Sequence, residues 1–168
     1  MRPLHIAFFN RAFHPEESAT SQLLTELAES LVRDHGCRVS VVTGIPPKAV
    51  GSWANPGGLR LLLREEWQGI CILRVRGTRF SKRFFIGRVS NYLSYFTVAC
   101  FAGLGLNRPD VVIALTDPPT IGLAGWLAAR RARCPLVVSF RDIFPEAGRL
   151  LREFLRTSAR KAACLPRV

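Results

Sequence analysis

Two short apolar runs end on charged residues, and those residues are candidates for chemistry. Asp110-Val-Val-Ile-Ala-Leu-Thr116 breaks at Asp117-Pro118-Pro119, and Pro135-Leu-Val-Val-Ser-Phe140 breaks at Arg141-Asp142, shortly before Glu146. Residues 121–131 between them are apolar and of helix length. The unit reads strand–helix–strand, and such units join parallel strands whose carboxyl ends share one edge of a sheet. Ligands of open α/β sheets bind at that edge. Carboxylates and a guanidinium placed there suit a polar ligand. Taken singly the residues are ambiguous: Asp117 can be a turn former before Pro118, and Arg141 with Asp142 a surface ion pair.

The other candidate is the first loop. Residues 4–9 form a strand-like run apolar on both faces, hence central and parallel. The polar loop 10–18 leads into a helix with Leu23, Leu24, Leu27, Ala28, Leu31 and Val32 on one face. Ser18 or Thr20 can cap its start, and Gly36 follows its last turn. The helix N-terminus at Ser18–Gln22 points at the strand edge, where free amides and the helix dipole suit an anion such as a diphosphate. An ordinary capped helix has the same sequence signature. The loop lacks a glycine, which disfavours dinucleotide binding by G-x-G-x-x-G. There is no G-K-[ST] and no G-x-S-x-G. His14-Pro15-Glu16 matches the H-x-E of zinc deaminases without the partner P-C-x-x-C, and we take the match as chance.

The elements that must hold these loops follow from composition and periodicity. At 168 residues the chain is one domain, or one domain plus a remnant, and a hydrophobic share of 48% gives it a packed core. Residues 38–43 form the second strand, followed by a Pro- and Gly-rich loop. Residues 59–64 and 70–75, separated by Glu65 to Gly69, read as a hairpin with one arm able to join the sheet edge. Residues 89–106 contain no charged residue and sit at the lower length limit of a membrane span. Ser90, Asn91, Ser94 and Thr97 interrupt them, so a helix buried between sheet and neighbouring helices is expected, with Tyr92, Leu93 and Phe96 packing on the sheet. The expected fold is α/β, a Rossmann-like three-layer sandwich with a mostly parallel sheet of order 3-2-1-4-5 plus a hairpin near residues 59–76.

A net charge of +12 favours anionic partners: nucleic acid, an acidic membrane surface or phosphorylated substrates. The segment after Glu146 is arginine-rich, with Glu153 its one acid. Arginine-heavy usage can also reflect genome composition, and no nucleic-acid partner is expected. The five cysteines are odd in number, widely spaced and without C-x-x-C, which indicates neither a disulfide framework nor a metal site. A reducing cytoplasm fits, and the short first strand is no signal peptide.

Five stretches in this order resemble the N-terminal domain of family 4 glycosyltransferases: Pro15-Glu-Glu-Ser-Ala-Thr-Ser-Gln-Leu-Leu-Thr-Glu-Leu-Ala28, Val41-Val-Thr-Gly44, Arg108-Pro-Asp-Val-Val-Ile-Ala114, Thr116-Asp-Pro-Pro119 and Arg141-Asp-Ile-Phe-Pro-Glu146. By eye they look most like bacterial enzymes building colanic-acid-like and O-antigen polysaccharides. The resemblance implies the acceptor-side half of a GT-B fold, in which two Rossmann-like domains face each other across a cleft. It implies a retaining, metal-independent sugar transfer with a nucleotide-sugar as donor substrate, a glycan or lipid-linked acceptor, and no separate cofactor. Ser18, Ala19 and Thr20 would approach donor phosphate or acceptor, while Asp117, Arg141 and Asp142 would line the cleft and Glu146 would position its loop. No catalytic residue is assigned. The family's first loop usually carries glycine where this chain has Ser18, and Ile143 and Phe144 depart conservatively from the family's Asp-Leu-Trp-Pro-Glu-like run.

On this reading residues 1–150 are the glycosyltransferase 4-like domain, and residues 151–168 are a basic helical tail, the remnant of a linker to a missing donor domain. The chain is then expected to be a truncated, frameshifted or split product, inactive alone, in the cytoplasm or peripheral at the inner face of the plasma membrane. The alternative is a non-catalytic basic α/β module that docks on an acidic membrane or a partner transferase. A nucleic-acid-binding α/β domain is the third reading.

Overall fold

The computed structural model describes residues 2–46, 61–78, 85–116 and 120–140. In chain order the elements are β1 (His5–Phe9), α1 (Ala19–Arg33), β2 (Arg38–Gly44), β3 (Leu62–Trp67), β4 (Ile70–Val75), α2 (Phe85–Leu104), β5 (Val111–Leu115), α3 (Ile121–Ala132) and β6 (Leu136–Ser139). The strands form one sheet of order β3-β4-β2-β1-β5-β6. All neighbours are parallel except β3, which pairs antiparallel with β4. Counting only the parallel strands in sequence gives 3-2-1-4-5, the expected order.

The centre of the sheet is buried on both faces, which is why β1 reads as a continuous apolar run rather than an alternating one. Ala7, Phe9, Val42, Leu73, Val112 and Ala114 point to the α2–α3 side. Ile6, Phe8, Val39, Val41, Ile70 and Ile72 point to the α1 side. The edge hairpin is tighter than its sequence suggested. Glu65, Glu66 and Trp67 belong to β3, and the turn is Gln68-Gly69 alone, with φ of 49° and 76°. Two consecutive left-handed residues match the strand twist of a two-residue hairpin, and glycine at the second of them relieves its cost.

Two helix faces differ from expectation. On α1 the buried face is Ser21, Leu24 and Ala28, with Leu31 and Val32 packed beside it, while Leu23 and Leu27 are exposed. On α2 it is Tyr95, Ala99 and Ala102 that reach the core, with Phe96 partly buried against it, whereas Tyr92 and Leu93 face outward. The physical reason is close approach. A side-chain carbon at Gly103 would lie 2.9 Å from Phe9 and 3.2 Å from Ala128, so the small face of α2 is the one that fits between sheet and α3. Among the described residues no helix is long and apolar enough to cross a membrane. Cys37, Cys71, Cys100 and Cys134 are all free thiols.

Candidate functional site

Parallel pairing of β4, β2, β1, β5 and β6 brings their carboxyl ends to one edge, and the loop from β1 to α1 crosses it. That loop is tied down from several sides. The Asn10 amide donates to Val42 O at 3.1 Å, and the Asn10 side-chain amide to Ala12 O at 2.6 Å. Arg11 O accepts from the Gly44 amide and from the Thr43 hydroxyl, both at 2.9 Å. A side-chain carbon at Gly44 would meet Arg11 O at 3.0 Å, so the end of β2 has to be small for the loop to lie this close. Phe13 is fully buried under the loop and anchors it in the α1-side core.

The far half of the loop rests on Arg74. This guanidinium, 1% exposed, donates from Nε to Glu65 Oε1 at 2.7 Å and from Nη2 to the His14 carbonyl. Burial draws its pKa below the usual value, and Glu65 draws it back up. The His14 ring stacks on Trp67, with centroids 4.1 Å apart and planes 11° from parallel. Burial, helped by the Arg74 charge, holds the His14 pKa below the ordinary histidine value. The β3–β4 hairpin thus sets where the loop leaves the sheet and where α1 begins.

Ser18 is the N-cap of α1, with extended backbone (φ −75°, ψ 148°), and its hydroxyl accepts from the Ser21 amide at 3.3 Å. Its carbonyl accepts from Gln22 N at 2.9 Å. The amides of Ala19 and Thr20 have no acceptor among the described residues; Ala19 is exposed and Ser18 and Thr20 are half-buried. Asn10 Oδ1 in the loop and Ser21 Oγ in the first turn of α1 are buried without a hydrogen-bond partner among the described residues. What the arrangement offers an anion is a helix terminus, while Arg74 is committed to Glu65 and His14. Glu16 and Glu17 stand just before the cap and temper the positive end of the helix.

Of the residues singled out in the sequence, Ser18, Ala19 and Thr20 are brought together at this edge. Asp117, Arg141, Asp142 and Glu146 lie outside the described residues. Among the described residues no group of three or more His, Cys, Asp or Glu is placed to hold a metal ion. Sequence reasoning missed Arg74, Asn10 and Thr43. Arg74 did leave a signal, a lone cation in the otherwise apolar run Ile70-Cys-Ile-Leu-Arg-Val75. Asn10 and Thr43 sit where any strand-end polar residue would and left none.

A family model described as a glycosyl transferase 4-like domain matches residues 19–165, from the first residue of α1 onward. The chain belongs to the glycosyl transferase 4-like family. In general, a domain of this family works with a nucleotide-sugar and an acceptor. The α/β sheet with helices on both faces is the architecture on which the glycosyl transferase 4-like match is laid. No curated protein matches the chain at a significant level.

Proposed function

We propose that this glycosyl transferase 4-like domain forms the acceptor-side wall of a sugar-transfer cleft, with the start of α1 turned toward a phosphate of the substrates. The observation that carries the reading is the pair of acceptor-free amides at Ala19 and Thr20, on the carboxyl edge of the sheet of a family member. Hydrogen bonds aimed at developing charge stabilise a departing diphosphate, and a helix terminus supplies them without an added cation. Asp117, Arg141 and Asp142 would complete the polar lining, and Glu146 would hold their loop. Residues 1–150 would be the domain itself and 151–168 a basic tail. The sugar polymer would be of the colanic-acid or O-antigen kind, by the motif resemblance. The charge of +12 supports a place in the cytoplasm, peripheral at an anionic membrane surface.

Titration of the isotope-labelled chain with inorganic pyrophosphate and with nucleoside diphosphates tests the central claim. The amide resonances of Ala19 and Thr20 are expected to shift saturably, and a Ser18→Trp substitution to abolish the shift. Resonances that stay fixed while others move would place the phosphate site elsewhere.

A further inference from the structure

We propose that the outer face of α2 and α3 is a docking surface for an anionic lipid bilayer. This rests on the peripheral placement proposed above and names the surface responsible for it; it does not depend on the sugar-transfer reading. The sequence contains no carboxylate between Glu66 and Asp110 and none between Asp117 and Asp142, so both helices and their flanks are free of acids. The opposite layer is mixed, since α1 carries Glu26 and Glu29 and ends at Asp34.

The same two helices turn large apolar side chains to the outside. Val89, Leu93 and Phe101 fall on one stripe along α2, with exposures of 45%, 61% and 70%. On α3, Leu123 and Trp126 are also exposed. Both helices follow a strand and return antiparallel to it, so they run side by side in the same direction. Gly103 lies against Ala128, so the two helices pack closely in one layer, and the exposed residues lie outside that contact. Large apolar side chains left exposed on two neighbouring helices of one layer mark an interaction surface.

Arginines frame the apolar patch. The Arg130 guanidinium lies over the Trp126 ring, 5.6 Å from its centroid. Arg131 shares the last turn of α3, Arg133 caps it and Arg108 follows α2. All four are exposed, and none is paired with a carboxylate among the described residues.

Charge selects the occupant. Two copies meeting through arginine-framed faces, each with a net charge of +12, would repel, whereas a negative lipid surface attracts such a face. An indole beside guanidinium groups suits the headgroup level of a bilayer. The apolar stripe spans most of α2, and no helix of the described residues can cross a membrane, so α2 would lie in the plane of the interface. The strands run antiparallel to α2, and the edge bearing Ala19 and Thr20 would then open sideways along the lipid surface rather than into it.

Co-flotation of the full chain with phosphatidylcholine vesicles, with and without phosphatidylglycerol, tests this. Wild type should bind the anionic vesicles and release at high salt. Leu93→Ser with Phe101→Ser, and separately Arg130→Glu with Arg131→Glu, should each lower partitioning by about tenfold or more. Leu23→Ser with Leu27→Ser on α1 should leave it unchanged, and an unaltered circular dichroism spectrum confirms that each variant is folded. Wild type that does not prefer anionic vesicles overturns both the peripheral placement and the surface. Wild type that binds while the α2 and α3 variants bind equally well overturns the surface alone. Self-association lost on Phe101→Ser, without vesicle binding, overturns the proposal and assigns the face to a second copy.

Discussion

Arg74 is where a single residue matters most to the β1–α1 loop. It is buried on a parallel strand, joins the hairpin to the loop, and keeps its charge because Glu65 offsets the cost of burial. Arg74→Met should cost about 3 kcal/mol in urea unfolding, because it strands Glu65 and the His14 carbonyl. Glu65→Gln should cost less, since that side chain is 23% exposed and can rehydrate. Equal losses would argue that the cation, not its position under the loop, is what stabilises. Two histidines, His5 in the core and the half-buried His14 of the loop, predict a pH dependence. The His5 ring meets Ser40 Oγ at 2.9 Å and Asn107 O at 2.8 Å, and burial lowers its pKa despite that carbonyl. His14 is lowered by burial as well. In both cases the unfolded chain binds a proton more readily than the folded one. Their contribution is therefore fully present above the ordinary value of 6.5 and is lost as the pH falls below it, until the folded rings themselves protonate. The unfolding midpoint should drop between about pH 7.5 and about pH 5.5, and His5→Asn should flatten the slope. A midpoint that does not move over that interval would contradict the assignment.

At the scale of elements, helix ends and helix faces behaved differently. The start of α1 was legible, since Ser18 is one of the two caps its sequence offered. Residue 133 closes α3 in the left-handed region, with φ of 56°, and its amide reaches the carbonyls of Ala129 and Arg130. Glycine usually occupies that place because it bears no side-chain penalty there. Arg133→Gly should raise stability by about 0.5–1 kcal/mol, read as a shift in denaturation midpoint with unchanged slope. A loss of stability would mean that the arginine side chain makes up for the strain of its backbone. The face of α2 was not legible in the same way. The helix is apolar almost all round, so periodicity gave no orientation, and the small residues Ala99, Ala102 and Gly103 took the inner side.

For the whole molecule, the sheet order followed from connection rules. Strands joined through helices pair in parallel with one hand of crossover, and this puts β1 at the centre with β2 and β5 beside it. The hairpin refined that picture by adding β3 antiparallel at the edge. Sugar transfer needs a donor held against an acceptor in a cleft that excludes water. The described residues form one sheet, hence one wall. If the domain supplies one wall of the cleft, as proposed, the purified 168-residue chain should not sustain transfer from nucleotide-sugars by itself. Sustained turnover above that of a Ser18→Trp control would overturn the half-site reading.

Local regularities were readable in advance. Apolar runs marked the strands, a hydroxyl marked a helix start, and connection lengths marked parallel pairing, because each depends on neighbours within a few residues or on a rule common to all sheets. The support of the β1–α1 loop was not readable, since it comes from Arg74, 60 positions away in sequence from the carbonyl it holds. Nor was the outward turn of Leu93 and Phe101, which depends on how closely α2, α3 and Phe9 can approach one another. Both are set by long-range packing, where volume and hydrogen-bond satisfaction are decided between elements rather than within them.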